Sequence, residues 1–98
     1  MKDTSYNKRA KILKAIAHPA RLKIIDILKK GEMCVCNIQE KIGYKMPTIS
    51  RHLSVMENAG LIKGRRKGNW IYYRLLTPCV VETFLCIDKV IKTDKKCK

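Results

Sequence analysis

The chain has 98 residues, and 22 lysines and arginines stand against 8 aspartates and glutamates, a formal net charge of +14. That length fits one domain with a thin stability margin, and Leu, Ile, Val and Phe supply 26 residues, above the roughly 20% that marks disorder. No apolar run approaches the ~18 residues needed to span a bilayer, and Met1-Lys2-Asp3-Thr4-Ser5-Tyr6-Asn7 has no signal-peptide pattern, so a single-domain cytoplasmic protein without membrane contact is expected.

Residues 6–17 place Ile12, Leu13, Ile16 and Ala17 on one helical side, with Lys8, Arg9, Lys11 and Lys14 elsewhere. This predicts an amphipathic first helix. It ends at His18-Pro19, because the residue before proline avoids the helical region. Pro19 suits the first turn of a second helix, 20–29, with Leu22, Ile25 and Leu28 as its core stripe and Gly31 beyond its end. A short third helix fits 37–42. Pro47 opens a fourth, 47–59, whose Ile49, Leu53 and Met56 face the core at i, i+4 and i+7. Thr48, Ser50, Arg51, Ser54 and Asn58 are left outward, and Gly60 stops the helix.

The period then changes. Residues 61–76 read as a two-stranded hairpin: Trp70-Ile71-Tyr72-Tyr73-Arg74-Leu75 is aromatic and β-branched. Gly68-Asn69 supplies the positive φ angles of a tight bend. Pro78 opens a last helix, 79–93, with Val80, Phe84, Ile87 and Ile91 on one stripe; 95–98 reads as a frayed tail.

A pI near 9.9 predicts attraction to polyanions, with double-stranded DNA ahead of a membrane surface. Residues 41–74 carry eight basic side chains against Glu57 alone, while 31–40 hold Glu32 and Glu40 and no base. Helix, turn, helix and basic hairpin together make a winged helix-turn-helix, mostly α with a β-hairpin wing. In that arrangement the fourth helix fits a major groove. Thr48, Ser50, Arg51 and His52 then meet base edges, with Lys45 beside them, and Arg65, Arg66 and Lys67 at the hairpin meet the backbone. For His52 a contact to phosphate or base and plain solvation both remain open, and His18 reads as a cap rather than a ligand.

Five cysteines, Cys34, Cys36, Cys79, Cys86 and Cys97, are many for this length. In a reducing compartment they are thiols, metal ligands or redox sensors. Cys34 and Cys36 fall where an extended segment enters the third helix and can converge on one soft ion. A helix N-terminus there favours thiolate.

Met46-Pro47-Thr48-Ile49-Ser50-Arg51-His52-Leu53, followed by Glu57-Asn58-Ala59-Gly60-Leu61-Ile62, resembles the recognition helix of the ArsR/SmtB repressors. Gly68-Asn69-Trp70-Ile71-Tyr72-Tyr73-Arg74-Leu75 resembles their wing, and Ile16-Ala17-His18-Pro19-Ala20-Arg21-Leu22-Lys23-Ile24-Ile25 their first helix junction. The resemblance covers residues 8–93. It implies a homodimer held by the first and last helices on an inverted-repeat operator; the apolar stripes of those helices separately suggest a partner surface. Cys34-Val35-Cys36 resembles the thiolate site of the arsenic- and cadmium/lead-responsive members. The inducer so implied is As(III) or Sb(III), or Cd(II), Pb(II) or Zn(II), with no organic cofactor.

The sequence departs from that family in three ways. Gln39 stands where the arsenic pattern has a further cysteine, residues 1–33 hold no cysteine, and residues 79–98 hold no histidine. A third ligand would then be Cys79, Cys86 or neither. Those two are seven apart, about 10 Å along one helix, too far to share an ion within it. Three rivals remain. One is a redox- or persulfide-responsive repressor linking distant thiols such as Cys36 and Cys86. Another is a nucleoid-type binder with structural zinc. The last, a small thiol oxidoreductase, lacks both Cys-x-x-Cys and a βαβ pattern, so the chain is not expected to be an enzyme.

Overall fold

Proline and glycine punctuation sets the order of elements. The computed structural model describes residues 3–97. In chain order these form α1 (Asp3–Ile16), α2 (Pro19–Leu28), β1 (Met33–Cys34), α3 (Val35–Ile42), α4 (Met46–Asn58), β2 (Ile62–Lys67), β3 (Trp70–Leu75) and α5 (Val80–Cys97). The fold is the expected winged helix-turn-helix.

The local chemistry explains the boundaries. His18 is extended, and its Nδ1 accepts the Ala20 N–H at 3.1 Å, capping α2 beside Pro19. In the wing, Lys67 pairs with Trp70, so Gly68-Asn69 is the whole turn. Of these two, only Gly68 has a positive φ, 64°, and among the described residues no non-glycine does. The turn therefore asks for one left-handed residue, not the two expected.

Three elements differ from the sequence reading. The wing belongs to a three-stranded antiparallel sheet of order β1-β3-β2, with Met33 opposite Tyr73 and Cys34 opposite Tyr72. Two residues are too few to show alternation, so β1 left no periodic signal. The third helix begins at Val35 instead of 37, which puts Cys36 inside its first turn and makes Cys34 its N-cap. The last helix runs on to Cys97, so 95–97 are helical rather than a frayed tail, and Lys98 lies outside the described residues. No glycine or proline follows Pro78 to stop it, and lysines near a helix C-terminus favour the dipole.

The core joins the middle of the chain. Ile24 and Ile25 of α2, Ile38 of α3, Ile49, Leu53 and Met56 of α4, and Ile62 of β2 are fully buried. Burying each such side chain contributes about 1.5–3 kcal/mol. Helix α4 is thereby fixed along the length of its apolar stripe, as expected. The flanking helices behave otherwise. On α2, Leu22 is 37% exposed and Ile24 takes its place in the core. On α1, Ile16 is buried with Ala15, but Ile12 and Leu13 are exposed, as is Ala17 just past its end. On α5, Val80, Val81 and Phe84 pack against the core, whereas Ile87 and Ile91 face outward. Each of these two helices meets the core of one chain at one end only, so its stripe is half used.

Candidate nucleic-acid interface and thiol pair

Because α4 buries Ile49, Leu53 and Met56, the positions between them are set by the helical period. Thr48, Ser50, Arg51, Ser54 and Asn58 are exposed, and Lys45, the N-cap, is exposed at the same end. His52 is not with them. The residue is 6% exposed, and Arg21 Nε donates to its Nδ1 at 3.1 Å. The His18 ring lies 4.4 Å away, centroid to centroid, and the Tyr44 ring 6.4 Å. Burial lowers the His52 pKa, and His18, Arg21 and Arg51 lower it further. The outward placement expected for His52 is thus corrected. One residue past Arg51, a helical step of 100° carries it round toward the core side.

The wing carries Arg65, Arg66 and Lys67 on β2, all exposed. Arg65 is already engaged: its Nε and Nη2 each donate to the Glu32 carboxylate at 2.8 Å. Its guanidinium also lies over the Tyr72 ring, 5.8 Å from the centroid. The Arg65 hydrogen bond holds the Glu32 carboxyl below its ordinary range, and Glu32 in turn holds Arg65 up. A second tie joins wing to helix, since the Gly64 N–H donates to Glu57 Oε2 at 2.9 Å. Sequence reasoning missed Arg21, Glu32, Glu57 and Gly64. Glu32 did leave a signal: it is one of two acids in a stretch without bases, two residues before Cys34.

The Cys34 and Cys36 sulfurs lie 3.5 Å apart. Cys34 is buried and Cys36 half-buried. Burial pushes the Cys36 thiol up, and the hydrogen bond with Cys34 and then the charge of its sulfur push it further. The thiolate expected at this helix N-terminus is thus opposed at Cys36 by burial and by its neighbour. As a donor set, the two thiols fit one soft ion of the thiolate-binding class. Cys79, just before α5, and Cys86, on it, are exposed. Among the described residues, no three His, Cys, Asp or Glu side chains of one chain gather to hold a metal.

Comparison with known proteins agrees with this fold. Residues 18–63, from the α2 cap through the thiol pair and α4 into β2, match the family described as bacterial regulatory protein, arsR family. The chain is similar to an uncharacterized HTH-type transcriptional regulator of Methanocaldococcus jannaschii, 38% identical over 86 residues, 87% of this chain and 97% of that protein. It is similar to an arsenical resistance operon repressor of Staphylococcus xylosus, 37% identical over 71 residues, 72% of this chain and 68% of that protein. Among solved structures it resembles a homodimeric winged helix-turn-helix DNA-binding domain from Mycobacterium bovis. The TM-score is 0.79 at 29% identity, covering 100% of this chain and 94% of that one. No helix among the described residues is long and apolar enough to cross a membrane. The chain belongs to the arsR family, and so is a DNA-binding transcriptional regulator rather than an enzyme.

Proposed function

We propose that this protein is a homodimeric cytoplasmic repressor that leaves its operator when a soft metal or metalloid binds Cys34 and Cys36. Thr48, Ser50 and Arg51 read base edges in the major groove of an inverted repeat, and Lys45, Arg66 and Lys67 meet phosphates, while Glu32 holds Arg65 back from them. The observation that carries this reading is the position of the thiol pair. The two sulfurs, 3.5 Å apart, straddle the junction of β1 with α3. That junction is bonded to the wing through Cys34 opposite Tyr72, and α3 is the helix that precedes α4. Closing two thiolates on an ion strains the junction, and the strain reaches both DNA-contacting elements. An ion that prefers the strained state weakens DNA binding by the same coupling. Thiolate preference selects trivalent arsenic or antimony first, then cadmium, lead or zinc. A third donor comes from Cys79 or Cys86, supplied by the second copy of the chain.

The test is binding of a fluorescent inverted-repeat operator fragment at fixed salt under reducing conditions. It is titrated with arsenite, antimonite, Cd(II), Pb(II) and Zn(II). Release by one of them, lost in Cys34→Ser, is expected. Release only by peroxide or persulfide would overturn ion sensing in favour of a thiol-redox signal.

A further inference from the structure

Neither base reading nor ion sensing uses the one polar side chain that is buried among the described residues, His52. It sits on α4 between exposed Arg51 and buried Leu53. Four groups face it: His18 from the α1–α2 junction, Arg21 from the first turn of α2, Tyr44 from the turn before α4, and Arg51 from its own helix. None of the four is a carboxylate. Arg21 also reaches back to α1, where its Nη1 lies 3.5 Å from the Lys14 carbonyl oxygen. One imidazole thus gathers α1, α2 and the recognition helix.

The direction of the hydrogen bond fixes the chemistry. Arg21 donates and cannot accept, so His52 Nδ1 must be unprotonated and its single proton sits on Nε2. A protonated ring has no acceptor left, and it would place a third positive charge beside Arg21 and Arg51.

We propose that His52 is a positioning residue for DNA binding: as a neutral acceptor for Arg21 it holds α4 in the pose that presents Ser50 and Arg51, and its protonation releases α4 and weakens operator binding. The sign follows from linkage. The released state takes up a proton more readily than the clamped one, whose histidine pKa is depressed. The clamped state is therefore complete above the ordinary histidine range and is lost as pH falls below about 6.5. Generic acidification has the opposite effect, because added positive charge strengthens attraction to phosphate. Weaker binding in acid is thus a signature of the clamp.

The experiment compares operator affinity of the reduced protein and of His52→Asn between pH 7.5 and 5.5 at fixed salt. The Asn carbonyl oxygen stands near the Nδ1 position and accepts the Arg21 proton without titrating. Wild-type affinity is expected to fall by up to about tenfold per pH unit for each His52 that takes up a proton, and so by up to about a hundredfold for a dimer. His52→Asn is expected to match wild type at pH 7.5 and to hold or gain affinity in acid. Parallel profiles for the two proteins would overturn the proposal. Should the variant not fold, nitrogen-15 spectra of the wild-type ring decide alone. An Nε2–H tautomer with a titration midpoint coincident with the loss of affinity supports the clamp; an Nδ1–H tautomer refutes it. The proposal rests on α4 lying against DNA. If neither protein bound the operator at any pH, that reading would fail, and the ring tautomer would still judge the clamp.

Discussion

Arg65 grips Glu32 with two parallel 2.8 Å hydrogen bonds, joining the segment that leads into the thiol pair to the outer strand of the wing. The same row of the sheet carries Cys34 opposite Tyr72 and Tyr72 opposite Arg65. A carboxylate here occupies the guanidinium that a phosphate would otherwise take. The Arg65 hydrogen bond holds the Glu32 carboxyl below its ordinary range, so Glu32 is ionised and paired at neutral pH.

Glu32→Gln should free Arg65 for the DNA backbone. Operator affinity is then expected to rise, and the slope of log affinity against log salt to steepen by about one phosphate contact, roughly 0.9. Binding isotherms at four salt concentrations check this. An unchanged slope would show that Arg65 does not reach phosphate once released.

Gly64 is required by the ring behind it. A Cβ at this position would stand 2.8 Å from Tyr73 Cε1 and 3.2 Å from Ile71 Cγ2. The backbone cannot retreat freely, because the Gly64 N–H is bonded to Glu57 on α4. Gly64→Ala should therefore cost about 1–3 kcal/mol, the usual range for overpacking. Urea melts measure it. Combining it with Tyr73→Leu, which removes the obstructing ring edge, should recover part of the loss; a purely additive double variant would rule out the steric account.

Elements that repeat were legible in the sequence, and single contacts were not. The stripe Ile49, Leu53, Met56 fixed which face of α4 is exposed, and the structure follows it. His52 escaped because a polar residue beside Arg51 reads as outward when nothing in the sequence shows Arg21 waiting across the core boundary. Strand β1 escaped because its partner, β3, lies nearly forty residues further along the chain. The rise of the Cys36 pKa escaped because it comes from burial and from the Cys34 sulfur beside it, which only the folded chain brings about. On α1 and α5 the stripes were legible but their destination was not, since one chain covers only part of each.

The Cys36 thiol is held up by burial and by Cys34, so at neutral pH it is less ionised than a free cysteine. Alkylation with iodoacetamide should reach exposed Cys79 well before Cys36, read residue by residue by mass spectrometry. Ion binding must displace the thiol protons, so inducer affinity should climb as pH rises from 6 to 9, by up to about tenfold per unit for each proton lost. An inducer affinity independent of pH over that range would remove Cys36 from the ligand set.

Most large apolar side chains left exposed among the described residues lie on α1 and α5, with Leu13 58%, Leu85 62% and Val90 66% exposed. A solitary protomer of this size would keep them in water, at about 25 cal/mol for each Å² that a second copy could cover. Leu85 lies beyond the part of α5 that packs on the core, so Leu85→Glu should leave the protomer folded. Facing its own symmetry mate, the glutamate would replace buried apolar area with a desolvated charge. Sedimentation should show wild type as a dimer at micromolar concentration and Leu85→Glu as a monomer with unchanged circular dichroism. The monomer should bind a single half-site weakly and lose the cooperative affinity for the full inverted repeat, because only a dimer sets two α4 helices one DNA turn apart. A variant that stayed dimeric, with wild-type affinity for the repeat, would place the dimer contact elsewhere than this part of α5.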